Sequence, residues 1–351
     1  APLAAPLAGV LMAPAVARAQ GAAIKLTLPW LAQGSTAYAF IAKEMGAFSR
    51  RGLNVDVTRG FGSVAAAQAL SQGQFDYAIV GAGPMILAAA RNLPIVGMAT
   101  VNYDMTMGIA LRADSPIRTA KDLEGKRLGL VAASAEVPFW PAFAQRAGIN
   151  VSTITVQQMD NRVLERSLID RQVDAITAIA SSTIPVMQAQ NAPSRFIPYS
   201  SAGLNFYANV ICTRPEILAG RAAQAEAMTE ALLEAVAFQL REPERALDMF
   251  IRQVPEIGIT AGGRENARLS QGLMHATMLA PEAMQHGLGY TDMATWGAMT
   301  DLVMQYAAPA DATRPAPETI ISNRFAARLK LTEAEWAAQR SRLQPFSTML
   351  A

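Results

Sequence analysis

Up to about residue 200 the apolar positions keep changing rhythm, from every second residue to every third or fourth. "IKLTLPW" (24–30) alternates and stops at Pro29. "TAYAFIAKEMGAFSRRG" (36–52) carries Tyr38, Ile41, Met45 and Phe48 at helical spacing and ends on Gly52. "LNVDVT" (53–58) reads as a strand, "VAAAQALSQG" (64–73) as a short helix, "FDYAIV" (75–80) as a strand, "MILAAARN" (85–92) as a helix and "PIVGMAT" (94–100) as a strand. This order predicts an α/β fold, with a mostly parallel sheet and helices on both faces.

A second set follows. "MGIALRAD" reads as a strand, and after a turn-rich connector comes "RLGLVA" (127–132), a buried strand. Helix 139–148, strand 153–158, helix 162–172, strand 174–179, a helix from about Thr183 and strand 195–199 complete it. Beyond "NFYANVICTRPE" helices dominate. Residues 223–240 place Met228, Leu232, Val236 and Leu240 on one stripe, and the last helix, 332–343, starts at the cap Thr332.

The two sets contain a repeat. "LSQGQFDYAIVGAGP" (70–84) and "LIDRQVDAITAIASS" (168–182) align at an offset of 98, matching Leu70 with Leu168, Gln74 with Gln172 and Asp76 with Asp174. Each reads as helix, tight turn, strand and a cluster of small residues before a helix. Two such units predict two lobes of like construction, with one cleft beyond both sets of strand ends.

The run Gly81-Ala82-Gly83-Pro84 invites a dinucleotide reading, but the third glycine of that fingerprint falls on Ile86. Two readings stay open. The small residues let backbone N–H groups approach a ligand, or they make a tight strand–helix turn with no ligand.

Composition narrows the function. Of 351 residues 51% are hydrophobic and 17% charged, and the net charge is only +2 with no block of like charges. That excludes wholesale disorder and speaks against a nucleic-acid groove or polybasic membrane patch. The single cysteine, Cys212, excludes an intrachain disulfide and reads as a buried inert thiol. His275 and His286, eleven apart with no cysteine nearby, lack metal-ligand spacing and read as surface or capping residues. There is no Ser-His-Asp set and no P-loop, so no metal, cofactor or catalysis is expected. The Ala-rich segment 1–19 ends in Ala17-Arg18-Ala19, like the apolar core and cleavage site of a secretory signal peptide. An exported, monomeric protein is expected.

The segments "GSTAYAFIAKEMGAFSRRGLNVDV", "GQFDYAIVGAGPMILAAARNLPIVGMATV", "AKDLEGKRLGL" and "GYTDMATWGAMTDLV…SNRF" resemble periplasmic solute-binding proteins of ABC importers, in the NMT1/THI5-like group of thiamine-pyrimidine precursor binders. The resemblance implies a type II periplasmic binding fold, two α/β lobes joined by two hinge strands. Residues 24–104 with 208–351 would form lobe 1 and residues 105–207 lobe 2. It also implies a small-molecule ligand, an inner-membrane permease with its ATPase as partners, and a periplasmic location. The enzyme branch of the superfamily carries a cysteine-rich iron motif, which one cysteine cannot supply.

Under this resemblance the cleft residues can be named. Trp30 ends the first strand, where a flat indole suits a heteroaromatic ring or simply packs. Gln33 and Ser35 lead into the first helix, with Tyr38 one turn in. Gly81, Ala82 and Gly83 form the second loop. Tyr103 sits at the outgoing hinge beside Asp104, and Asn205 and Tyr207 at the return hinge. From lobe 2 come Ser134, Glu136, Asp160, Ser181 and Ser182. Glu136 is either a carboxylate for an amino-pyrimidine edge or an acid at a helix start. An aliphatic sulfonate or nitrate remains the alternative ligand, and needs an Arg or several N–H donors in the cleft.

Overall fold

A computed structural model describes residues 23–350, so the expected leader at 1–19 lies outside the described residues. The strands are β1 (Ile24–Thr27), β2 (Val55–Thr58), β3 (Tyr77–Gly81), β4 (Val96–Thr100), β5 (Met107–Arg112), β6 (Arg127–Leu130), β7 (Thr155–Gln158), β8 (Ala175–Ile179), β9 (Ser194–Pro198) and β10 (Asn209–Thr213). They form two five-stranded sheets, ordered β2-β1-β3-β10-β4 and β7-β6-β8-β5-β9. Both are mixed. β1 is parallel to β2 and β3, as β6 is to β7 and β8. β10 and β5 each run antiparallel to both neighbours. The central strand β3 and the edge strand β4 are buried along their whole length.

The helices between these strands are α1 (Ala37–Glu44), α2 (Ser63–Ser71), α3 (Ala82–Ala90), α4 (Trp140–Arg146), α5 (Leu164–Ile169) and α6 (Ala180–Ala189). The repeat at offset 98 is α2–β3–α3 in one lobe and α5–β8–α6 in the other. Its matched aspartates do the same work. Asp76 accepts the Lys25 N–H at 3.0 Å and returns its own N–H to the Lys25 carbonyl at 2.9 Å. Asp174 treats Arg127 identically, at 2.9 Å for both bonds. Each acid ties the start of one strand to its parallel neighbour.

Two segments connect the sheets, residues 101–106 and 199–208. They run side by side without being regular strands. Ala208 donates its N–H to the Asn102 carbonyl at 3.0 Å, and Met105 to that of Phe206 at 2.9 Å. The lobes also meet at Gly62, which has φ +132° and lies so close to Ala133 that an added Cβ would fall 2.0 Å from its carbonyl oxygen. Only glycine fits there.

The helix Ala222–Arg241 buries Met228, Leu232, Val236 and Leu240 in the core of the first lobe. The helix Gly263–Ala276 packs against α6 of the second lobe. Leu269 and Leu273 join Ala180, Ile184, Leu343 and Phe346 in one apolar cluster. That cluster explains why the last helix, Glu333–Leu350, continues past the expected stop at 343 and through Pro345. Burial of Leu343 and Phe346 offsets the hydrogen bond lost at the proline.

His275 corrects an expectation. It is fully buried rather than a surface or capping residue. Its helix turns it inward, with Nδ1 3.3 Å from an Arg342 Nη2, and burial with that positive neighbour holds its pKa well below the usual imidazole range. His286 is exposed and stacks on Tyr290.

Candidate functional site

A cleft with about 700 Å³ of atom-free space, its open mouth included, lies between the lobes. Its walls follow from the sheet topology. Pro29 and Trp30 come from the carboxyl end of β1, Ser134, Ala135 and Glu136 from beyond β6, and Ile179, Ser181 and Ser182 from the end of β8. These are the strand ends where open parallel arrangements gather ligands.

Among the expected site residues, the structure brings Trp30, Gln33, Ser35, Ser134, Glu136, Ser181 and Ser182 together on this lining. Trp30 belongs to the first lobe, yet its half-buried ring packs against the apolar cluster of the second, which includes Val131 and Leu164. Gln33 donates from Nε2 to Ser182 Oγ at 2.6 Å and to Ser35 Oγ at 3.0 Å. Ser270 completes a second bridge. It accepts the Ser35 N–H at 3.0 Å and donates its hydroxyl to the Ser181 carbonyl at 3.1 Å.

The other expected residues stand elsewhere. Tyr38 is fully buried beneath α1, its hydroxyl without a hydrogen-bond partner. Gly81 donates its N–H to Ser63 Oγ at 3.1 Å. Ala82 is buried at the start of α3, and Gly83 is packed against Phe139 and Phe206. Tyr103 meets Tyr207 edge-on at 5.2 Å and donates to the Tyr290 carbonyl, while the Tyr207 hydroxyl donates to Glu282. Asp160 is exposed and paired with Arg162 at 2.9 Å; Asn205 is exposed.

The lining also holds residues the sequence did not single out: Ser63, Asn102, Glu165, Thr177, Thr183 and Met274. Glu165 matters most. On α5 it reads as one more solvated acid of an amphipathic helix. The sequence offers no signal for it, since it stands between the buried Leu164 and the exposed Arg166 of a short helix.

Two carboxyls thus share the second-lobe wall, each steadied by a threonine. Thr177 donates to Glu136 Oε1 at 3.0 Å, and Thr183 to Glu165 Oε1 at 2.9 Å. Glu136 is 2% exposed. Burial, helped by the charge of Glu165 and only partly opposed by its hydrogen bonds, pushes its pKa up to about 7. Burial raises Glu165 as well. Asp104 lies at the exposed rim and accepts the Thr106 N–H at 2.7 Å. Among the described residues no lysine, arginine or histidine lines the cleft. Among the described residues no group of three His, Cys, Asp or Glu is placed to hold a metal ion, and no helix is long and apolar enough to cross a membrane.

Comparison with known proteins gives this architecture a family. Over 220 residues the chain is 24% identical to a binding protein of Brucella abortus, covering 61% of this chain and 66% of that one. It therefore spans just under two thirds of that relative's length. It is 19% identical over 235 residues to a protein of Halalkalibacterium halodurans named as formylaminopyrimidine-binding, covering 66% and 71% of the two chains. The alkanesulfonate-binding protein of Xanthomonas axonopodis pv. citri, solved bound to MOPS, has the same fold, with TM-score 0.66, 14% identity, and 86% and 98% coverage of the two chains. The periplasmic aliphatic sulphonate-binding protein of Escherichia coli matches at TM-score 0.63, with 15% identity and 86% and 92% coverage. The family described as "NMT1/THI5 like" matches residues 33–246, well over half of the sequence and including most of the cleft wall, and the chain belongs to that family.

Proposed function

We propose that this protein is the extracytoplasmic solute-binding component of an ABC import system, without catalytic activity. Residues 24–104 with 208–351 close against residues 105–207 on a small heteroaromatic solute, pyrimidine-like in its edge of N–H donors, and deliver it to a membrane permease and its ATPase. The observation that carries this reading is Glu136, almost wholly buried on the cleft wall and free of any ion pair, with the Trp30 ring on the same lining. A carboxylate accepts two hydrogen bonds from an amino-heterocycle, and an indole face suits its ring. The pyrimidine-binding name of a distant relative supports the same class. The sulfonate named for two structural neighbours fits less well, since this lining sets three carboxyls and no cation before an anion.

A thermal-shift screen over pyrimidines, flavin precursors, aromatic acids and sulfonates tests the reading. A cleft ligand at a hundredfold excess over its dissociation constant adds about 2.7 kcal/mol of stability. Stabilisation by an aminopyrimidine, lost in Glu136→Gln, is the expected result. Stabilisation by sulfonates alone, or turnover of any of these compounds, overturns it.

A further inference from the structure

The cleft carries a charge imbalance. Glu136 and Glu165 sit on one wall, close enough for the charge of one to disfavour ionisation of the other. Their side-chain partners are the neutral hydroxyls of Thr177 and Thr183, one to each carboxyl. Among the described residues no cationic side chain shares the lining. Several other acids of the molecule are paired with cations. The carboxyls of Asp174, Glu234 and Glu335 each meet an arginine within 2.9 Å. A buried carboxyl pair without a counter-ion must hold a proton or wait for a cation.

A second feature points the same way. Trp30 reaches across from the first lobe and packs on the cluster that contains Leu164, the residue before Glu165. An indole beside two carboxyls on one lining suits a flat organic cation.

We infer that the solute binds as a planar cation, an amidinium or a ring-protonated amino-heterocycle, whose N–H groups meet Glu136 and Glu165 while its face meets Trp30. This rests on the reading of the cleft as the solute site and adds the charge of the solute to it. In the empty cleft the pair retains a proton, and the arriving cation displaces it: protonated carboxyl plus cation gives the ion pair plus a released proton. The ionisable groups facing the pair are Tyr199, which lies near Glu136, and Asp104 at the rim; neither supplies positive charge.

Isothermal titration of the whole protein with three isosteric probes tests this: benzamidine, benzamide and benzoate. Benzamidine is expected to bind at least tenfold more tightly than benzamide, and benzoate most weakly. Glu165→Gln is expected to remove that preference, bringing the benzamidine and benzamide affinities together. At pH 7, benzamidine titrations in phosphate and in Tris are expected to differ in heat by the ionisation of released protons, and the difference to shrink in Glu136→Gln. Benzamide binding as tightly as benzamidine, benzoate binding best, or no binding in any arm overturns the inference. Failure here and failure of the transport reading look different. If only the charge assignment is wrong, neutral or anionic compounds still stabilise the protein in the broader screen and lose their effect in Trp30→Ala. If the transport reading is wrong, that screen finds no cleft ligand.

Discussion

Gln33 Nε2 stands 2.6 Å from Ser182 Oγ, a hydrogen bond that crosses the cleft between residues 149 apart in sequence. Beside it, Ser270 ties the Ser35 N–H to the Ser181 carbonyl. The lobes are therefore latched by neutral groups close to the charged wall. Gln33→Ala removes one latch, worth about 1 kcal/mol for a neutral hydrogen bond. The variant should shift toward an open form, seen as a larger radius of gyration by small-angle scattering, and bind its solute about fivefold more weakly. An unchanged scattering profile and affinity would show that the latch does not govern closure.

Glu136 should make stability depend on pH. Its carboxyl in the folded protein is raised to about 7, above its ordinary value near 4.5. The folded state therefore holds the proton more tightly than the unfolded one. The stabilisation is complete below about pH 4.5 and is lost as pH rises through about 7. The full effect is at most about 3 kcal/mol. Urea unfolding of the empty protein between pH 5 and 8 should show this decline, and Glu136→Gln should flatten it. A wild-type stability that rises across that interval would contradict the assignment.

Gly83→Ala should destabilise the protein by about 1–3 kcal/mol, the usual cost of overpacking. An added Cβ would lie 2.6 Å from the Phe139 ring, which also packs against Phe206 at 4.4 Å between centroids. Gly81→Ala should cost less, because its nearest obstacle is the terminal methyl of Met105, the far end of a flexible side chain. Thermal melts of the two variants should rank in that order.

Asp76→Ala and Asp174→Ala should each lower stability by about 1–2 kcal/mol, through loss of an acceptor for a strand-end N–H. The second should cost more. Asp174 also holds the Arg127 guanidinium at 2.9 Å, whereas Arg221 approaches Asp76 only to 3.4 Å. Equal melting temperatures would remove the distinction.

The two-lobe plan could be read from the sequence because local chemistry repeats. Asp76 and Asp174 serve the same strand-tying purpose, so they survive at matched places in otherwise dissimilar runs. Glu136 and Ser182 were also legible, since both lie just past a strand, Glu136 before a helical turn and Ser182 in the first turn of α6, at the end where ligands collect. Glu165 was not, because a helical acid beside Arg166 carries the pattern of a solvated face, and only the approach of Thr183 from α6 shows otherwise. His275 and Pro345 were hidden for one reason. Both depend on how late helices stack on the second lobe, a contact made between residues far apart in the chain. The glycines at 81 and 83 had two open readings, and both prove closely packed against neighbouring side chains.

The position of β10 has a consequence for how the protein is made. It lies between β3 and β4, yet β5 to β9 are all translated before it. The second sheet is contiguous and can assemble as soon as it emerges from the ribosome. The first has a gap at its centre, with unpaired edges on Gly81 and Thr100, until Asn209–Thr213 arrives. The first lobe is thus the later one to be completed, and the nascent protein stays open along that seam until Asn209–Thr213 has been synthesised.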